Sequence, residues 1–258
     1  MPTTARAHFQ EDVARARAIL NHANLLPNGS DPEKLLRSDL LRSTWMFAVG
    51  ALDAYFCDAY TDIVAATLAS KSRQPAITLP EFFYDIRLPI RAVLEEYTNQ
   101  NWRWRMAARK MMERESVVSL QKINGLFNKF FRKDHRFFNT LVFDAWICHP
   151  DAKPRMFGVR GAQFLILDKG DKVTARKDAG KRMEARFKNL IQRRHDCIHN
   201  CDRPRVSPQP LSTGGTVLKV IQDVEFLVHR CDEHIHAEFR YFLQGIGCSP
   251  ATVTAAGY

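Results

Sequence analysis

The chain has 258 residues, of which 45% are hydrophobic and 26% are charged, and this composition is typical of a globular protein that buries a substantial core. No apolar run approaches the ~20 residues of a transmembrane helix, and the N-terminal residues lack the apolar core and cleavage site of a secretory signal. We therefore expect a cytoplasmic protein without a membrane span, in which the six cysteines are reduced thiols.

Apolar residues recur at helical period along most of the chain, and clusters rich in proline or glycine separate the periodic segments. The helices predicted in this way cover about residues 6–24, 32–70, 101–133, 179–199 and 217–243. Residues 152–180 are the least helical part, and a short strand pair is predicted around the sequence DKGD. The last ten residues, SPATVTAAGY, are predicted to form a loose tail.

These elements predict an all-α fold, an up-and-down helical bundle with an inserted basic segment. We divide the chain into an N-terminal helical arm at residues 1–30 and a helical domain at residues 31–246, with an insertion at about 101–180. Residues 247–258 form a C-terminal tail in this division.

The net charge of +10 is concentrated in one part of the chain. Residues 153–205 contain 15 Lys and Arg against 6 Asp and Glu, a formal charge of +9, while the rest of the chain is nearly balanced. Such a concentration favours a phosphate-rich partner, because binding releases condensed counterions, although a solubilising surface has the same composition. The candidate RNA contacts are Arg186, Lys188, Arg193, Arg203 and Arg205.

The sequence NLIQRRHDCIHNCDRPR, residues 189–205, lies at the end of the fourth predicted helix. On a helical wheel, Arg194 lies inside the same wedge as five apolar residues, and His195 and His199 lie at the edge of that wedge, one turn apart. Arg193 and Asp196 point the opposite way, towards solvent. The apolar residues of the wedge are Met183, Phe187, Leu190, Ile191 and Ile198.

An arginine on a buried face needs a partner, because a desolvated charge must be paired or bound to an anion. The ordinary interpretation is a salt bridge inside the bundle. The alternative is a catalytic site, since His195 and His199 titrate near neutral pH and are suited to donate and accept protons. Asp53, at the edge of the apolar face of the second predicted helix, is a candidate partner of Arg194 or His199, or else a plain surface carboxylate.

A metal site is the competing interpretation of the same stretch. His195 and His199 have the spacing of a helical metal-binding pair, and the cysteines Cys197 and Cys201 lie nearby. The sequence CDEHIH at residues 231–236 offers Cys231, His234 and His236, although we expect it to form polar surface on the last helix with one histidine at the edge. However, HDCIH lacks the glutamate of the HExxH motif, the cysteines form no CxxC pair, and an inward arginine would repel a divalent cation. We expect neither a metal nor another cofactor.

Two blocks of the sequence resemble a known family. RRHDCIHNCD resembles the motif of the HEPN superfamily of helical proteins, which is Arg, then Asn, Asp or His, then three residues and His; Arg194, His195 and His199 occupy its positions. STWMFAVGALDAYFCDAY, residues 43–60, resembles the first core helix of these domains. The order of elements is similar to that of the RiboL-PSP group over about residues 36–245, and the long stretch 101–180 departs from a minimal HEPN bundle.

This resemblance implies a metal-independent endoribonuclease, often a toxin or an abortive-infection effector against phage, with an active site formed across a homodimer. On this hypothesis His199 accepts the proton of a ribose 2′-OH, Arg194 holds the phosphate, His195 assists, and Asp53 positions the arginine or the histidine. An antitoxin or regulatory protein is a possible further partner. Many relatives have lost catalysis, so a non-catalytic RNA- or nucleotide-binding module or a regulatory helical partner stays open as the alternative.

Overall fold

The computed structural model describes residues 4–27, 29–95, 100–113, 115–117, 119–200 and 213–257, and at residues 100, 101, 199 and 200 it describes the backbone alone. These residues contain no strand, which confirms the all-α class. The α-helices among them are α1 (Thr4–Leu25), α2 (Asp31–Arg73), α3 (Ile90–Leu94), α4 (Gln100–Met112), α5 (Leu120–Phe127), α6 (Thr140–Ile147), α7 (Pro154–Phe157), α8 (Gly161–Ile166), α9 (Lys169–Asn200), α10 (Gly214–Gly245) and α11 (Pro250–Ala255).

Helix α2 is the longest element, and α1, α4, α9 and α10 all pack against it. It begins where the side chain of Glu33 accepts a hydrogen bond from the backbone N–H of Ser30 (2.9 Å), and Pro32 lies in its first turn, where no intrahelical N–H bond is lost. Because α2 runs 43 residues without a break, residues far apart along it face different partners.

Helices α1 and α2 form an antiparallel hairpin, and α10 packs on both. Phe9 of α1 contacts the ring of Tyr55 of α2 and also the ring of His229 of α10. The hydroxyl of Tyr55 donates to the buried carboxylate of Asp232. This carboxylate also forms an ion pair with Arg6 at 2.9 Å. Helix α1, which we assigned to a separate arm, therefore shares one continuous hydrophobic core with the helices that follow it.

The strand pair predicted around DKGD is wrong. Residues 169–171 of this sequence are the first turn of α9, and the carboxylate of Asp168 accepts the backbone N–H of Asp171 at 2.8 Å. Two glycines of the region lie at helix ends, since Gly158 ends α7 with a φ of 77° and Gly161 begins α8, whereas Gly170 and Gly180 lie within α9. Helix α9 consequently starts about ten residues earlier than the sequence predicted.

The other helix predictions fare as follows. The first, second and last predicted helices are confirmed as α1, α2 and α10, whereas the predicted run 101–133 contains two helices, α4 and α5. The loose tail is wrong for residues 250–255, because α11 forms there and buries Val253 in the core. The division of the chain into domains stays a prediction. No helix in the described part of the chain is long and apolar enough to cross a bilayer.

Candidate active site at the contact of α2 and α9

The apolar face of α9 leads directly to Arg194. Met183, Phe187, Leu190 and Ile191 are buried at helical spacing, as the wheel predicted, and Arg194 follows them with 22% of its side chain exposed. In the next turn the buried residue is Cys197, whereas Ile198, which was expected on the same face, is 52% exposed. Arg194 thus lies where the buried face of α9 opens to solvent.

The guanidinium of Arg194 faces Asp53 of α2. Its Nη2 lies 3.8 Å from Oδ2 of Asp53, which is an ion-pair distance but longer than a hydrogen bond. Both side chains are half-buried, so their attraction is screened less than that of a surface pair. The arrangement orients Arg194 without using its N–H groups in tight bonds to this carboxylate.

Asp53 is held by the segment that follows α4. Its Oδ1 accepts the backbone N–H of Val117 at 2.6 Å, and its Oδ2 accepts the hydroxyl of Ser116 at 3.1 Å. A carboxylate fixed by a backbone N–H 64 residues away is more than a plain helix-surface charge. The sequence placed Asp53 near Arg194 but gave no signal for Val117 or Ser116.

The thiol of Cys57 lies one turn beyond Asp53 on α2, and its Sγ is 3.9 Å from Oδ1 of Asp53. Burial, together with the nearby charges of Asp53 and Asp58, raises the pKa of Cys57 to about 12. The thiol is therefore neutral near pH 7, which makes it a poor nucleophile despite its place beside the candidate site.

The structure describes the two motif histidines less completely than it describes Arg194. His195 is exposed on α9, next to Arg194. The backbone of His199 continues α9 for one more turn, but its side chain lies outside the described residues, as do Arg203 and Arg205. Arg194 and Asp53 are therefore brought together, with His195 next to Arg194 on α9.

The wheel predicted that Arg193 points towards solvent. In the structure Arg193 is instead half-buried over α2. Its guanidinium lies 5.2 Å from the centre of the Trp45 ring, and the indole N–H of Trp45 donates to the carbonyl of Leu190 at 3.0 Å. The flat guanidinium stacks on the ring because Trp45 lies alongside α9. Asp196, also expected in solvent, is half-buried and accepts the side-chain N–H of Gln192 at 3.0 Å.

Several arginines of the basic segment face carboxylates that lie outside it. Arg186, a candidate RNA contact, lies 2.9 Å from the fully buried carboxylate of Asp223, and Arg155 lies 2.7 Å from the same carboxylate. Arg176 binds Asp144 with two hydrogen bonds. The formal charge of +9 therefore overstates the positive charge that this segment presents to a partner, whereas Lys188 is exposed and available.

The sequence CDEHIH does not form the polar surface that its composition suggested. Cys231 and Asp232 are buried, and Asp232 binds Arg6 and Tyr55. His234 packs on Phe131, and its ring nitrogen bonds to the carbonyl of His135. Within the described part of the chain, no three His, Cys, Asp or Glu side chains are grouped as a metal site requires.

Sequence reasoning missed a further carboxylate–histidine contact on α10. Glu238 is buried and binds Arg132 through two hydrogen bonds, and its Oε1 lies 3.1 Å from Nδ1 of His135. Arg132 also lies over the ring of Tyr241. These residues are about 100 positions apart in the sequence, so no local pattern predicts their contact.

Comparison of the chain with protein-family models, with curated proteins and with solved structures gave no match.

Proposed function

We propose that the protein is a metal-independent endoribonuclease of the HEPN type, with Arg194, His195 and His199 as its catalytic residues. The observation that carries the proposal is the placement of Arg194 at the open end of the buried face of α9, 3.8 Å from Asp53. An arginine held in this way is oriented by a neighbouring charge and keeps N–H donors for a phosphate, which it binds well in a bidentate manner.

In the proposed reaction, His199 accepts the proton of a ribose 2′-OH, and the oxygen attacks the adjacent phosphorus. The bond from phosphorus to the 5′ oxygen breaks, and the products are a 2′,3′-cyclic phosphate and a 5′-OH. Arg194 stabilises the charge that develops on the phosphoryl oxygens, and His195 helps to orient the phosphate. The leaving oxygen takes its proton from His199 of a second copy of the chain, so the proposal requires a homodimer.

The biological role in this proposal is that of a toxin or an anti-phage effector, as the family resemblance implies. Such an enzyme cleaves RNA of its own host, so the proposal includes an antitoxin or regulatory partner that restrains it. Lys188, which is exposed on α9, and Arg203 and Arg205, which lie outside the described residues, stay proposed RNA contacts, whereas Arg186 is bound to Asp223.

The test is cleavage of RNA by the purified protein in the presence of EDTA, with DNA of the same sequence as the control. We expect RNA cleavage alone, and we expect Arg194→Ala and His199→Ala to lower the rate at least about 100-fold, as the loss of a charge-stabilising or proton-transfer group does. Arg17→Ala and His22→Ala are matched controls on α1: Arg17 is in a half-exposed pair with Glu225, and His22 is exposed.

The proposal fails if EDTA abolishes cleavage, if DNA is cut equally well, or if Arg194→Ala and His199→Ala cut as fast as the controls. Circular dichroism and thermal unfolding of each variant separate a loss of chemistry from a loss of fold.

A second candidate is a non-catalytic helical module that binds RNA or a regulatory partner. The observation that favours it is that Arg155, Arg176 and Arg186 are already bound to carboxylates of the same chain, as structural arginines are. This candidate predicts salt-sensitive binding of RNA without product, and binding that His199→Ala leaves intact.

A further inference from the structure

A cavity of about 420 Å³ lies between α1, α2 and α4, close to the candidate active site. Its volume is within the range of sites for small ligands, roughly 300–1,000 Å³. Three helical faces line it, one from each helix, with lining residues at helical spacing. The cavity is therefore built from three regular faces rather than from an irregular loop.

The charged side chains that line the cavity from α1 and α4 are mostly solvent-exposed and lie beside the buried apolar face of each helix. Helix α1 contributes His8, Glu11, Asp12 and Arg15 at spacings of three and four residues, and α4 contributes Arg109 and Glu113. The floor is less polar and includes Ala54 and the neutral thiol of Cys57 from α2. A cavity that titratable side chains from three helices border at the surface is accessible to a polar ligand.

Some of these charges are already matched and others are not. Asp12 faces Arg15 at 3.6 Å, Glu113 faces Lys110 at 2.9 Å, and Asp58 of α2 binds Nδ1 of His8 at 3.0 Å through its Oδ2. Glu11 and Arg109 form no ion pair with any residue in the described part of the chain. The cavity thus offers one carboxylate and one guanidinium that are free to receive a ligand.

A site that offers both a guanidinium and a carboxylate suits a ligand that carries both an anionic group and N–H donors. A guanidinium binds a phosphate, and a carboxylate accepts hydrogen bonds from the N–H groups of a nucleobase. A nucleotide carries both groups in one molecule. Guanine is the base that suits Glu11 best, because its pairing edge presents two adjacent N–H donors to the two oxygens of one carboxylate.

The position of the cavity connects it with Arg194. Cys57 lines the cavity and contacts Asp53, and Asp58 follows Asp53 by five residues, about 7.5 Å along the axis of α2. Trp102, whose side chain is 53% exposed, lies on the same face of α4 as Arg109 and about two turns before it. An exposed aromatic ring beside a basic residue is typical of surfaces on which single-stranded bases stack.

We propose that this cavity binds one guanine nucleotide of single-stranded RNA next to the cleaved phosphate, with Glu11 on the base and Arg109 on the nucleotide's own phosphate. The proposal rests on the ribonuclease function for its role in cleavage, but the binding itself does not depend on catalysis. Glu11 and Arg109 are the residues that determine specificity, and Asp58 with His8 completes the wall beside the base.

Calorimetric titration of the full chain with 5′-GMP, 5′-UMP and guanosine tests the binding. We expect GMP to bind at least about tenfold more tightly than UMP, and Glu11→Gln to abolish that preference, because the amide accepts one hydrogen bond from guanine where the carboxylate accepts two. Arg109→Ala weakens GMP but leaves guanosine unchanged. Glu81→Gln and Arg91→Ala, exposed residues away from the cavity, are the controls.

A second arm distinguishes a free nucleotide from a nucleotide within RNA. Oligoribonucleotides that differ only in having G or U at one position are cut by the wild type, and we expect faster cleavage beside G and loss of that preference in Glu11→Gln. GMP binding without any effect of G on cleavage would assign the cavity to free nucleotides. Equal binding of GMP and UMP, or full preference in Glu11→Gln, overturns the proposal. If GMP binds but RNA is never cut, the ribonuclease fails and the cavity stands.

Discussion

Two carboxylates receive arginines from the same helix, α9, and hold them in different ways. Arg186 reaches Asp223, which is fully buried and also binds Arg155, with distances of 2.9 and 2.7 Å. Arg194, eight residues further along, reaches Asp53 at 3.8 Å, while Asp53 takes its short hydrogen bonds from Val117 and Ser116. Both arginines are half-buried, so burial alone does not distinguish them.

The difference lies in what each carboxylate requires. A fully buried charge must be compensated on all sides, and Asp223 is compensated only because both guanidiniums bind it. Asp53 is compensated by a backbone N–H and a hydroxyl, so it does not need Arg194 in a tight bond. An arginine that its partner does not need is free to bind a phosphate, and this is the physical ground for separating Arg194 from the other arginines of α9.

The largest effect on stability is expected at Asp223, the buried carboxylate that binds two arginines. Asp223→Asn leaves Arg155 and Arg186 facing a neutral amide, and removing one partner of a buried charge cluster costs about 3–5 kcal/mol. Urea unfolding measures this loss as a lower free energy of unfolding. Glu225→Gln is the control two residues away on α10, where a partly exposed carboxylate binds Arg17 and the expected loss is about 0–1 kcal/mol. Equal losses in both variants would remove the distinction between the two kinds of pair.

A third arginine–carboxylate pair sharpens the comparison through its pH dependence. Asp62 lies 3.0 Å from Arg105, and its side chain is only 11% exposed. Burial raises the pKa of Asp62 to about 6, although the charge of Arg105 acts in the opposite direction. The folded protein therefore holds the Asp62 proton more tightly than the unfolded chain does.

The sign of the effect on stability follows from that difference. The stabilisation is fully present below the unfolded pKa of about 4 and is lost as the pH rises through about 6, and it amounts to about 3 kcal/mol for a two-unit shift. Urea unfolding of the wild type and of Asp62→Asn from pH 4 to 7.5 isolates this group. We expect the free energy of unfolding of the wild type, relative to the variant, to fall over that range. A constant difference, or a rise, would show that Arg105 outweighs burial.

The sequence predicted the long helices and the place of Arg194 because both depend on local periodicity. The apolar face of α9 repeats at 3.6 residues from Met183 to Ile191, so the inward position of Arg194 follows from counting. The turn sequence DKGD misled the prediction because aspartate and glycine suit a hairpin turn and a helix start equally well. The side-chain hydrogen bond of Asp168 settles the choice in favour of α9.

The rest of the site depends on contacts between distant segments. Val117 reaches Asp53 across 64 residues, and Trp45 reaches Leu190, close to Arg193, across 145 residues, so neither contact produces a local sequence pattern. The cavity is an intermediate case. Each of its three faces is visible in the sequence as a repeat of three and four residues, but only the packing of α1, α2 and α4 brings the faces together.

The smallest stability effect is expected at Asp53. In Asp53→Asn the side-chain oxygen still accepts the N–H of Val117, but the amide nitrogen that replaces Oδ2 no longer accepts the hydroxyl of Ser116, and the charge beside Arg194 is lost, so we expect a cost of about 1 kcal/mol in urea unfolding. The expected effect on RNA cleavage is larger and takes a particular form. Without the carboxylate, the potential at the phosphate becomes more positive, so KM falls or stays constant. Arg194 loses the charge that orients it, so kcat falls about tenfold.

A fall in kcat without a rise in KM, in a variant that stays folded, separates an orienting carboxylate from a structural one. If Asp53 only supported the fold, kcat and the free energy of unfolding would fall together, in the same proportion as in Asp223→Asn. If Asp53 merely competed with RNA for Arg194, its removal would lower KM and leave kcat unchanged. A tenfold fall in kcat with a stable fold is the outcome that assigns Asp53 to the orientation of Arg194, since the 3.8 Å contact between them loses its charge.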